Sequence, residues 1–184
     1  MSSAVSQVIF ALEKVQMSFE VERKFLVAHD GWRSAATGSR CLRDGLIGPY
    51  QSSKVRVRRD GERAWLTIKG PRDGLGRLEF EYEIPLSDAD ELLRSVSEGP
   101  QTEKIRYCVP HGGLIWEVDV YQGNLAGVVL AEVELEREDQ PFAKPDWVGL
   151  EVSGDPRFKK ISLLRLRAEA GRPLTTAEIL TIPL

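Results

Sequence analysis

The chain has 184 residues, 42% of them hydrophobic and 29% charged, and its 25 basic and 28 acidic side chains leave a net charge of −3. One domain of that length buries about two-thirds of the surface its unfolded chain exposes, and so small a net charge argues against a global pull on nucleic acid. No apolar run reaches the roughly 18 residues that a membrane span needs. Cys41 and Cys108 are too few for a disulfide framework and too isolated for a zinc site, which suits a reducing cytosol; each reads as a small buried apolar side chain.

Residues 1–16 lack the basic start of a signal peptide. Val5, Val8, Ile9 and Leu12 fall at the spacing of a short amphipathic helix. Met17 heads the next segment, so residues 1–16 read as an N-terminal extension, or Met17 as the start, of a single domain over 17–184. Period-2 alternation then predicts strands at Phe19–Ala28, Arg40–Ile47 (ending at Gly48-Pro49), Lys54–Arg59, Ala64–Lys69 and Arg77–Ile84. Asp60-Gly61 marks a hairpin between the third and fourth. Ser87–Ser97 reads as a helix capped by Ser87 or Asp88, with Leu92, Leu93 and Val96 on one face. Strands at Glu103–Val109, Leu114–Tyr121 and Val128–Glu138 bring the count to eight. Gly154-Asp155-Pro156 introduces a helical stretch with Ile161, Leu164 and Leu166, and GRPLTTAEIL a last short helix. No repeat or linker divides the chain.

Split by parity, each strand gives the same partition. Glu20, Glu22 and Lys24 oppose Val21 and Phe25; Lys54, Arg56 and Arg58 oppose Val55 and Val57; Lys69 opposes Leu66 and Ile68. Arg77, Glu79, Glu81 and Glu83 oppose Leu78, Phe80, Tyr82 and Ile84. Lys104 and Arg106 alternate with Ile105 and Tyr107, Glu117 and Asp119 with Trp116, Val118 and Val120, and Glu132, Glu134 and Glu136 with Val133 and Leu135. A sheet with one wet face alternates too, but such faces mix in Ser, Thr, Asn and Gln, whereas this one is nearly pure charge. Like charges two apart on one face repel. Their segregation makes sense if something fills the gaps: a hard divalent cation, Mg²⁺ or Mn²⁺, among carboxylates, and phosphate among Arg and Lys. Eight strands can close into a barrel that holds one small ligand. The expected fold is therefore mainly β (α+β), an eight-stranded antiparallel barrel with a charged interior and a few flanking helices that cover its apolar outside only in part.

The run Glu20-Val21-Glu22-Arg23-Lys24 resembles the Glu-x-Glu-x-Lys signature of the triphosphate tunnel metalloenzymes, the CYTH superfamily. Val55-Arg56-Val57-Arg58, Leu66-Thr67-Ile68-Lys69, Arg77-x-Glu79-x-Glu81, Glu103-Lys104-Ile105-Arg106-Tyr107, Glu117-Val118-Asp119-Val120 and Glu132-Val133-Glu134 are similar to its later motifs, in order. Trp147-x-Gly149-x-Glu151-Val152 with Asp155-x-Arg157-Phe158 resembles the family segment that closes one end of the tunnel. The resemblance implies an eight-stranded tunnel in which Lys24, Arg56, Arg58, Lys69, Lys104 and Arg106 hold phosphate oxygens. It implies that Glu20, Glu22, Asp119, Glu132 and Glu134 hold one or two metal ions, with Glu79 and Glu81 positioning metal or the attacking water. Asp44-Gly45-Leu46 stands where short bacterial members have Gln-Gly-Tyr, and Lys160 where they have Asn.

The chemistry so implied is attack by water on a terminal phosphorus. His29 and His111 fall in turn regions, leaving Lys104, Glu79 or Glu81 to relay the proton. The leading expectation is a cytoplasmic inorganic triphosphatase acting on a small anionic triphosphate, without nucleic acid or membrane partners; a homodimer is open. Alternatives are a nucleoside or thiamine triphosphatase, a class IV adenylyl cyclase, and a non-catalytic polyphosphate-binding module.

Overall fold

The structure is a computed structural model that describes residues 18–47 and 53–183. The N-terminal helical spacing, Met17 and the Gly48-Pro49 strand end lie outside the described residues. Among the described residues nine strands form: β1 (Ser18–Val27), β2 (Gly38–Ile47), β3 (Lys54–Asp60), β4 (Arg63–Lys69), β5 (Gly76–Ile84), β6 (Glu98–His111), β7 (Leu114–Gln122), β8 (Val129–Leu135) and β9 (Val148–Glu151). They run in the order β5-β4-β3-β2-β6-β7-β8-β1-β9, and β5 also pairs with β1, which closes the first eight into an antiparallel barrel.

β1 achieves the closure by serving two partners along one edge. Ser18–Val21 pair with Glu79–Gly76 of β5, after which Phe25 and Val27 pair with Glu151 and Val148 of β9. β9 was not anticipated as a strand; its four residues pair there because β5 leaves that part of the β1 edge free. The other differences sit at element ends. β2 starts at Gly38, β6 spans Glu98–His111, and β8 stops at Leu135, so Glu136 lies past the wall. The expected helix over 87–97 is a short α1 (Leu86–Glu91) that runs on as a π-helical turn over Leu92–Val96. It starts directly after Pro85, whose extended backbone turns the chain into the helix, so neither Ser87 nor Asp88 caps it. The loop after β1 forms a 3-10 turn that buries Trp32.

The charged parity faces inward and the apolar parity outward. Outside β1, β7 and β8, Val21, Phe25, Trp116, Val118, Ala131 and Val133 pack with Trp32 and Trp147 into one core. Outside β3 and β4, Val57 and Ala64 pack under Ala89 and Leu93 of the α1 region. Gly45 permits that contact, since a Cβ there would lie 2.7 Å from the Leu93 side chain. The third core is a plug. Leu26 and Leu130, opposite each other in register and on the inward parity, join Tyr121 against Phe158, Leu163 and Leu166 of the C-terminal segment. That segment comprises α2 (Lys160–Ala170) and α3 (Thr176–Thr181), the latter started by a Thr175–Glu178 capping box. Cover is incomplete, as expected: Phe19, Ile68, Leu78 and Tyr82 on the outside of β1, β4 and β5 are 38–51% exposed. Cys41 departs from the expected burial, being exposed on the outward parity of β2, and Cys108 is half-buried. No described helix is long and apolar enough to cross a membrane.

Candidate active site

Strand order arranges the lumen charges into two arcs. The inward positions of β4, β3 and β6 supply Lys69, Arg56, Arg58, Lys104 and Arg106, and β2 lies between β3 and β6. The inward positions of β7, β8, β1 and β5 supply Glu117, Asp119, Glu132, Glu134, Glu20, Glu22, Glu79 and Glu81. Basic residues thus occupy one half of the tunnel wall and acidic residues the other. Two cations, Lys24 and Arg77, stand in the acidic arc, and one buried carboxylate, Asp44, stands in the basic arc.

The arcs are cross-linked by ion pairs. Lys69 Nζ lies 2.8 Å from Glu20 and 2.6 Å from Glu79. Arg106 donates to both Asp119 oxygens at 2.7 Å and to Glu132 at 2.6 Å, and also contacts Glu117. Lys104 donates to Asp119. Arg56 sits looser, 3.8 Å from Glu79 and 3.5 Å from Glu81, and donates to Thr67 Oγ1 at 3.1 Å. Lys24 pairs with Glu132 at 2.7 Å and lies 3.7 Å from Glu22.

These environments push acidities apart. Burial opposes ionisation of Glu20, but Lys69, Arg77 and a hydrogen bond from Glu79 outweigh it and hold the carboxyl at about 2. Burial, with the Glu20 charge and hydrogen bond, raises Glu79 despite Lys69. Burial first, then the charges of Glu20, Glu117 and Glu22, raise Glu134. Burial raises Glu117 too, with Glu132 and Asp119 adding to it against Arg106. On the basic side burial lowers Lys104 even though Asp119 faces it. Lys24 goes the other way: Glu132 and Glu22 overcome its burial and raise it.

Every basic residue expected from sequence lies in the lumen, although Lys24 stands across it from the others. Glu20, Glu22, Asp119 and Glu132 lie inside, each held by its own basic partners; Glu134 is exposed and Glu81 nearly half-exposed, so both sit towards open solvent. Register settles β5: Glu79 faces Lys69 and Glu81 faces Thr67, whereas Glu83 faces Trp65 and pairs with exposed Arg63 outside the site. Sequence reasoning missed Asp44, Lys160, Thr67 and the part played by Glu117. Asp44 and Lys160 were visible only as the two departures from the family pattern, and they are bonded to each other, Lys160 Nζ donating to Asp44 Oδ2 at 2.7 Å.

Among the described residues no group of three or more His, Cys, Asp or Glu is set to hold a metal ion as the side chains stand, because basic partners hold most of the carboxylate oxygens. The donor chemistry nevertheless fits a hard divalent cation. Glu22 faces Glu134 directly across the β1–β8 pair, whereas Arg106 bridges Glu117 and Glu132. Like charges so placed repel unless a cation lies between them.

A model of the CYTH domain matches residues 18–175. The chain is 44% identical over 149 residues to an inorganic triphosphatase of Acetivibrio thermocellus, which covers 81% of this chain and 95% of that protein. It is 40% identical over 151 residues to an inorganic triphosphatase of Nitrosomonas europaea, covering 78% of this chain and 95% of that protein. A crystal structure of an inorganic triphosphatase superposes with a TM-score of 0.57 at 35% identity, over 80% of this chain and 95% of its own. With a barrel closed by β1 and β5 and a lumen lined by these motifs in order, the chain belongs to the CYTH domain family.

Proposed function

We propose that this protein hydrolyses inorganic tripolyphosphate to pyrophosphate and phosphate with the help of Mg²⁺ or Mn²⁺. The observation that carries the reading is the division of one lumen into a basic and an acidic arc. Binding a polyanion alone needs only the basic half. The acidic half is left with a repelling pair, Glu22 with Glu134, that no cation among the described residues bridges. Its relatives' names point to the same substrate.

In this reading Arg56, Arg58, Lys69, Lys104 and Arg106 orient the phosphate chain, with Lys24 reaching it from the facing wall, and preorganised charge supplies most of the rate. Glu20, Glu22, Asp119, Glu132 and Glu134 would hold the metal, which when bound neutralises phosphate charge and makes water more acidic. Water oxygen bonds to the terminal phosphorus, the bridging P–O bond breaks, and pyrophosphate leaves. Glu81, 3.5 Å from Arg56 and more open to solvent than Glu79, is placed to take the proton of that water. Glu79, whose carboxyl burial raises, helps to position that water, while Lys104 donates to Asp119. Free Cys41 and Cys108 fit a cytoplasmic setting.

Phosphate release from tripolyphosphate and from ATP, with Mg²⁺ or Mn²⁺, tests the proposal. Faster release from tripolyphosphate is expected. Cyclic AMP as the main product from ATP, or tight tripolyphosphate binding without release, would overturn it.

A further inference from the structure

Asp44 is the only buried carboxylate among the described residues of the basic arc, 2% exposed. Its Oδ1 accepts from Arg58 Nε at 2.7 Å and its Oδ2 from Lys160 Nζ at 2.7 Å. Lys160 opens α2, so this one carboxylate ties the C-terminal helix to the phosphate-facing wall. A cavity of about 410 Å³ lies beside the pair, walled by Asp44 and Lys160 themselves and by Leu46, Pro100, Ile161 and Leu164. Thr102 also lines it, buried, with its Oγ1 lacking a hydrogen-bond partner. A mostly apolar chamber of this size with a free hydroxyl suits a small organic group. The pair therefore touches two spaces of opposite character: charged tunnel on the Arg58 side, apolar chamber on the Ile161 side.

We infer that the Asp44–Lys160 pair is a stop at the α2 end of the tunnel that selects a bare phosphate chain over a phosphate ester. The inference rests on the phosphate-binding reading of the tunnel. Lys160 has three N–H donors and Asp44 takes one, leaving others for the terminal oxygens of an unesterified chain. An ester puts its organic group at that end instead. To seat it in the chamber the pair must open, leaving Asp44 buried with Arg58 alone. Burial among Lys104, Arg56 and Arg58 pulls Lys160 down to about 7, so an added phosphate charge beside it favours its charged form.

The test compares kcat/KM for tripolyphosphate and for ATP in the wild-type protein and in Lys160→Ala, Lys160→Arg and Leu164→Trp, with thermal melts of each. Lys160→Ala should lower the tripolyphosphate value by about 10- to 100-fold, the contribution of one charged hydrogen bond, while the ATP value holds or rises. Lys160→Arg should keep the wild-type preference to within about threefold. Leu164→Trp narrows the chamber and should leave both substrates unchanged in the wild-type background but cancel the ATP gain when added to Lys160→Ala. Equal losses on both substrates, or no change on either, would overturn the stop. Should Lys160→Ala not fold, Lys160→Met carries the same comparison: a lost preference for tripolyphosphate with an unchanged melt supports the stop, and a kept preference overturns it. Wild-type protein inactive on tripolyphosphate would instead overturn the functional reading beneath it.

Discussion

The two arcs of the tunnel are built from the same strand alternation, yet each is strained in its own way. On the acidic arc Glu79, Glu117 and Glu134 are raised by burial and by neighbouring carboxylates. On the basic arc Lys104 and, beside it, Lys160 are lowered by burial and by neighbouring cations. Neither half is comfortable alone, and the cross-tunnel ion pairs relieve each only in part. In the proposed function a metal–polyphosphate complex would bring the missing cation to one arc and the missing anion to the other.

The sharpest way to break the comparison is to neutralise one arc at a time. Arg56→Ala removes the loosest-held guanidinium, the one with most freedom to turn to phosphate, and turnover should fall by about 100- to 1,000-fold with the metal requirement unchanged. Glu22→Gln should also cut turnover strongly, but with the metal titration moved to higher concentration. Metal titrations measured on both variants check the division: identical shifts would mean that the arcs do not have separate ligands.

Next in size is a stability effect. Asp44→Ala leaves Arg58 and Lys160 without their shared carboxylate in a buried site, which should cost about 3–5 kcal/mol by urea denaturation. The same change at Asp60, whose partner Arg40 is exposed at 45%, should cost far less.

A pH effect follows from Lys160, which faces Asp44, Arg58, Arg56 and Lys104. Its folded value of about 7 lies below the ordinary 10.5. Between those values the unfolded chain holds a proton that the folded chain has released, so this group makes stability rise with pH across that window. Lys104 is lowered as well and adds to the same slope. Unfolding free energy measured from pH 7 to 10 should rise less steeply in Lys160→Met than in wild type.

The sequence disclosed one arc more fully than the other. On β1, β5, β7 and β8 the inward positions carry carboxylates two residues apart, interrupted by Lys24 and Arg77, and parity alone placed Glu20, Glu22, Asp119 and Glu132 in the lumen. On the basic side β3 and β6 read equally well, but β2 did not. Its inward residues Leu42, Asp44 and Leu46 mix apolar with charged, because that strand faces the tunnel at one level and the chamber at another. Lys160 was out of reach of parity altogether, since helix residues enter the site by tertiary docking. β9 was missed for a related reason: four residues including Gly149 carry no alternation, and only the free stretch of the β1 edge makes them a strand.

The smallest effect expected is also a control on the arcs. Arg63 and Glu83 carry the same charges as the lumen pairs, continue the inward alternation of β4 and β5, and form a 2.5 Å ion pair, yet both are more than half exposed. Solvent screens such a pair, and holding two long side chains together costs entropy that offsets the attraction. Arg63→Ala should therefore change stability by no more than about 0.5 kcal/mol and leave tripolyphosphate turnover at the wild-type level. Thermal melts and phosphate-release assays on this variant check the point. A large loss of turnover would mean that the phosphate chain reaches past Glu81 to the rim, and that the basic arc is longer than Arg56, Arg58 and Lys69 make it.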